Sequence, residues 1–166
     1  MAVNSQSASV TLPTDHQILI TREFDAPKEL VYKAWTTPEL VERWWGAKRG
    51  EVTLAEIDLR VGGKWRYAMV TDDGTEVAFH GEYQEVVPNE RIVSTEVYEG
   101  IPVPQGTPET AALNTLTLSE TDGRTTLSLL VQHDSKATRD AVIESGMEDG
   151  LQDALDLVEE LAVSLR

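Results

Sequence analysis

The chain contains no cysteine, which excludes disulfide frameworks, thiolate nucleophiles and cysteine-type zinc sites. Basic residues are scarce: 14 Lys and Arg stand against 29 Asp and Glu, a formal net charge of -15. A surface of that sign repels phosphate backbones, so no nucleic-acid partner is expected. Nothing approaches the ~18 consecutive apolar residues of a membrane span, so no membrane partner is expected either. Met1 to Asp15 has neither a basic start nor an apolar stretch and does not read as a secretory signal. A soluble cytoplasmic protein is the resulting expectation. Catalytic signatures are also missing, since no HExxH, GxSxG, P-loop or GxGxxG pattern occurs. His16, His80 and His133 fall on different predicted strands without helical spacing. A histidine metal site would have to assemble through tertiary contact, so neither metal nor cofactor is expected and the chain leans away from being an enzyme.

What is present is ordinary for a globular domain. At 166 residues, 40% hydrophobic and 26% charged, the chain has the size and composition of one compact unit with its own core. Its charge is uneven: residues 1–66 carry nine basic and nine acidic residues, and residues 67–166 carry five and twenty. The stretch Asp140 to Leu165 holds eight acids and no Lys or Arg. It reads as a solvated helix face, with a docking surface for a basic partner as the alternative.

Residues 1–15 read as a flexible arm, because the Asn4–Ser9 run is too polar to bury surface. Residues 16–166 read as one domain. His16 to Asp25 alternates around Ile18, Ile20 and Phe24 as a first strand. Asp25 is positioned to cap a helix with Pro27 in its first turn and Leu30, Val31, Ala34 and Trp35 on one face. Thr37-Pro38 restarts a second helix that carries Trp44 and Trp45 and ends at Gly46. The period then changes to two. Trp65, Tyr67 and Met69 share one face, and Val77, Phe79, Gly81 and Tyr83 are in phase after the Asp73-Gly74 turn. Arg91 to Tyr98 follows Pro88-Asn89, a proline-studded loop runs from Glu99 to Thr110, and Asp122-Gly123 joins two more strands. Helix returns near Ser135, breaks at Gly146, and continues with Met147, Leu151, Ala154, Leu155, Val158, Leu161 and Leu165 at spacings of three and four. The order predicts an α+β domain in which one curved antiparallel sheet covers the final helix.

Five segments resemble one known family in register: Ile18–Glu29, Ala34–Gly46, Asp58–Trp65, His80–Ser94 and Ser145–Leu155. They look like the activator-of-Hsp90-ATPase homologue family. That family lies within the START-like, or helix-grip, group, which also holds aromatic polyketide cyclases and Bet v 1 type proteins. The resemblance runs from Ile18 to Val163. It implies about seven antiparallel strands wrapped around the C-terminal helix, two short helices plugging one end, and an apolar cavity between sheet and helix. In this family Trp often follows the glycine of the last helix; here Leu151 stands there and would widen the cavity.

The candidate ligand-binding set is Trp35, Trp44, Trp65, Tyr67, Met69, Phe79, Tyr83, Glu96, Met147, Leu151 and Leu155. Large side chains are what a curved sheet needs to reach a single helix, and Tyr and Trp add polar tips that orient a guest in an apolar site. Gly81 and Leu151 would leave room for it. Trp44 and Trp45 point about 100° apart, so one enters the core while the other reaches the cavity mouth or an interface. Glu96 alternates with Ile92, Ser94 and Tyr98 and would be a buried acid if it points inward. Asp58, Arg60, Lys64 and Arg66 around Gly62-Gly63 read as a salt-bridged turn, or as an anion contact at the cavity rim. The expected function is binding of a small, largely apolar or aromatic molecule, with Glu99–Thr110 and Ser145–Gly146 gating access. A polyketide cyclase-like enzyme using the same cavity is the alternative, and a module docking an Hsp90-type chaperone ranks third. Whether the chain is a monomer or a homodimer stays open.

Overall fold

The computed structural model describes residues 8–47, 49–99, 111–144 and 146–166. Eight strands form one antiparallel sheet: β1 (Ser9–Thr11), β2 (Gln17–Phe24), β3 (Gly50–Ile57), β4 (Lys64–Thr71), β5 (Glu76–Val87), β6 (Arg91–Tyr98), β7 (Ala112–Thr121) and β8 (Arg124–Gln132). Their spatial order is β1-β2-β8-β7-β6-β5-β4-β3. Among the described residues there are four helices: α1 (Lys28–Thr36), α2 (Pro38–Trp44), α3 (Lys136–Glu144) and α4 (Met147–Ser164). Among the described residues, no helix is long and apolar enough to cross a membrane.

The strands follow from alternation, and the turns from local chemistry. Asp122 and Gly123 adopt φ of 54° and 78°, the positive pair that a two-residue hairpin requires between β7 and β8. Register slips at Val52/Leu54 and Tyr83/Glu85 mark bulges, and bulges bend the strands that carry them. The concave face gathers Ile18, Ile20, Phe24, Leu116, Leu118 and Leu127, all buried, against Leu155, Val158, Leu161 and Ala162 of α4. Helices α1 and α2 close one end through Val31, Ala34, Val41 and Trp44.

Three details differ from the sequence-based expectation. Residues 9–11, placed in the flexible arm, pair with Leu19–Thr21 as β1, so the sheet has eight strands and not seven. The reason is long-range: Ala8 exchanges two 2.9 Å hydrogen bonds with the Gln152 side chain of α4. Secondly, Asp25 does not cap α1. Pro27 occupies the N-cap, and the Lys28 N–H donates to the Glu120 carboxylate of β7 at 2.9 Å. Thirdly, the acidic face of α4 is not wholly solvated. Asp156 and Glu159 hold the buried guanidinium of Arg22 at 2.7 and 2.8 Å. The loop expected over Glu99–Thr110 lies outside the described residues from 100 onward, as does Ser145.

Candidate functional site

Cross-strand register brings most of the expected set onto one surface. In an antiparallel pair, residues directly opposite project to the same side. Trp65 faces Gly81, Tyr67 faces Phe79, and Met69 faces Val77. Phe79 in turn faces Tyr98, and Tyr83 faces Ser94, which places Glu96 between them on the same concave side. Ala55 of β3 lies opposite Tyr67 and extends that side toward the sheet edge.

The rings form a connected cluster. Trp65 and Tyr67 lie 4.9 Å apart, and Phe79 stacks on Tyr98 at 4.9 Å. Trp45 meets both Tyr67 and Phe79 edge-on, at 5.5 and 5.7 Å. These T-shaped contacts set positive ring edges on negative ring faces. The choice between the two neighbouring tryptophans is thereby made. Trp44 belongs to the core, where its indole N–H donates to the Ala34 carbonyl at 2.9 Å and its ring packs 4.8 Å from Trp35. Trp45 is the one that meets the sheet.

The remaining members separate by depth. Leu155 is 1% exposed and sits in the core, whereas Met147 and Leu151 near the start of α4 are half-buried. Gly81 leaves no vacant room. Trp65 covers it, with its indole N–H donating to the Thr95 carbonyl at 3.1 Å, and a Cβ on Gly81 would lie 2.6 Å from Trp65 Nε1. The space expected there is filled by the neighbouring indole.

Polar groups converge beside the rings. Burial pushes the Tyr67 hydroxyl well above the ordinary tyrosine range, and Tyr83 and Glu96 add to that shift. Tyr83 is raised by burial, with Tyr32 and Asp58 contributing. Burial likewise raises the Glu96 carboxyl, opposed by a hydrogen bond with Asn114. Glu96 therefore points inward. Both Tyr67 and Glu96 are surrounded by protein yet keep accessible surface. The Tyr32 hydroxyl and Asn114 Oδ1 are buried without a hydrogen-bond partner.

Tyr98, Asn114 and Tyr32 were not among the expected residues. Tyr98 was detectable, being two residues from Glu96 in the same alternation. Asn114 reaches the site through its register opposite Ser94, which no local pattern reveals.

Other constellations lie elsewhere. Each cation at the double glycine has a carboxylate partner: Arg60 with Asp58, Lys64 with Glu82, and Arg66 with Glu99. This is the salt-bridged arrangement. Glu99 also meets His80 Nδ1 at 2.8 Å, and Arg66 above all holds its carboxyl down to about 2. Among the described residues, no group of His, Asp and Glu is arranged to hold a metal ion. A shallow cleft of about 570 Å³ is lined by Arg49, Thr71, Asp72, Asp73 and Thr75, none of them in the aromatic cluster.

A curved antiparallel sheet closed by two short helices and gripping a long C-terminal helix defines the helix-grip class of START-like proteins. Residues 25–162 match the family described as activator of Hsp90 ATPase homolog 1-like protein, and the chain belongs to that family. A protein from Rhodobacter sphaeroides superposes with a TM-score of 0.85 at 22% identity, over 95% of this chain and 99% of that one. One from Chromobacterium violaceum gives 0.76 at 27% identity, over 90% and 98%. A protein encoded in the dynemicin biosynthetic locus gives 0.63 at 19% identity, over 89% of this chain and 47% of its own length. No functionally curated protein matches the chain.

Proposed function

We propose that this domain binds a small, largely apolar or aromatic molecule between the aromatic strip of β4–β6 and the helices that cover it. One observation carries the reading: Tyr67 and Glu96 are enclosed by protein and still retain accessible surface, as side chains bordering an internal space do. In a solid core their surface would be lost, since interiors pack to crystal density. The surroundings suit such a guest. Trp45, Phe79 and Tyr98 offer ring faces and edges, and burial of apolar area supplies the driving force at about 25 cal/mol per Å² before association costs.

N-phenyl-1-naphthylamine, an uncharged probe that brightens on leaving water, tests this directly. Saturable fluorescence is expected, with a Tm that climbs as probe is added. Ala55 faces Tyr67 from the edge strand, so Ala55→Phe should fill the space and weaken the probe's affinity by about tenfold, equivalent to ~1.4 kcal/mol. Leu151→Trp provides a second obstruction, from the helix side. Absence of saturation together with an unmoved Tm would remove the proposal.

A further inference from the structure

Resting on the binding reading above, the polar groups at the end of the aromatic strip narrow the class of guest. Glu96 and Asn114 stand on neighbouring strands, two residues apart in register, and are hydrogen-bonded to each other. That single bond leaves the pair incomplete, because Asn114 Oδ1 is buried with no partner. A buried polar atom without a partner is costly, so a guest that supplies the missing bond is favoured over one that cannot. The cations of this half of the sheet are engaged at other carboxylates: Arg66 at Glu99, Lys64 at Glu82, and Arg91 at Glu85. The ionisable groups that act on Tyr67 are Tyr83 and Glu96, and none of the three supplies positive charge.

We infer that the site takes an uncharged aromatic molecule carrying a hydroxyl group, seated against Asn114 and Glu96, and rejects the carboxylate of the same ring system. A hydroxyl both donates and accepts, so it completes the Asn114–Glu96 pair whichever amide atom faces the carboxyl. An anion in the same place would lose its hydration on entering, would have no hydrogen to give Asn114 Oδ1, and among the described residues would find no cation paired with Glu96. The Glu96 carboxyl, raised by burial, accepts from the guest's hydroxyl when ionised and donates to its oxygen when protonated.

Three ring-matched probes decide the matter by equilibrium dialysis at pH 7 on the full chain: naphthalene, 2-naphthol and 2-naphthoate. The expected order is 2-naphthol first, about tenfold tighter than naphthalene and at least about tenfold tighter than 2-naphthoate. Glu96→Leu and Asn114→Leu should each shrink the advantage of 2-naphthol over naphthalene to about threefold or less, whereas the neutral isostere Glu96→Gln should retain most of it. Should 2-naphthoate bind as tightly as 2-naphthol, or should Asn114→Leu leave the ratio intact, the inferred guest is wrong while the apolar site stands. Should none of the three bind, the binding reading itself fails, and this inference with it.

Discussion

Gly81 shows how a single side chain, or its lack, shapes the candidate site. An added Cβ would run into the Thr95 carbonyl oxygen and meet Trp65 Nε1 at 2.6 Å. Neither neighbour yields easily: one is backbone of β6, and the other is an indole fixed by its own hydrogen bond. Gly81→Ala should therefore cost about 2 kcal/mol in urea unfolding and shift the Trp65 emission as the ring is displaced. A loss below about 0.5 kcal/mol would mean that β6 and the indole move aside freely. The sequence announces a glycine in phase with Phe79 and Tyr83, but it does not say what stands over it. The same holds for Trp44 and Trp45. Adjacency on a helix requires them to diverge, while the assignment of one to Ala34 and the other to Tyr67 and Phe79 depends on how α2 lies across the sheet.

Between elements, the contact most informative about assembly is the grip of α4 on β2. Arg22 shares the inward phase of Ile18, Ile20 and Phe24, and its side chain is only 1% exposed. Asp156 and Glu159 of α4 neutralise it, and its guanidinium lies 5.1 Å from the centre of the Phe24 ring. Removing one partner of a buried ion pair is costlier than replacing the buried charge by an apolar chain. The Glu159 side chain is 17% exposed and also accepts the Asp25 N–H at 2.9 Å, so Glu159→Leu leaves the buried guanidinium with the exposed Asp156 alone and frees the turn before α1. We expect Glu159→Leu to cost about 3 kcal/mol and Arg22→Met distinctly less, both by urea denaturation. The reverse ranking would show that the guanidinium acts mainly through its packing on Phe24. Period-two alternation marks β2 despite the arginine, because three of its four inward residues are apolar. The partnership was not legible: eight acids in a stretch that itself holds no Lys or Arg read as a solvated face, and the two that matter meet Arg22 across more than a hundred residues.

For the molecule as a whole, charge is the feature that composition alone quantifies. With a net charge of -15, the folded state repels itself. Half of the ion pairs among the described residues, such as Arg60–Asp58 and Lys64–Glu82, are exposed on both sides and contribute little each, so screening removes more repulsion than attraction. Raising NaCl from about 10 mM to about 300 mM should lift Tm by a few degrees, and a fall would mean that the ion pairs dominate. Sequence by itself determined the class of fold, the order of strands and helices from β2 onward, the two hairpin turns, and the shared faces of Trp65 with Tyr67 and of Phe79 with Tyr83. These follow from interactions between near neighbours, where side-chain periodicity and turn chemistry act within a few residues. The tertiary structure alone decided that β1 joins the sheet, that Trp45 and not Trp44 meets the aromatic strip, that Trp65 fills the space over Gly81, and that Asn114 stands beside Glu96. Each of those depends on register and on helix placement, and both are settled by contacts between residues far apart in the chain.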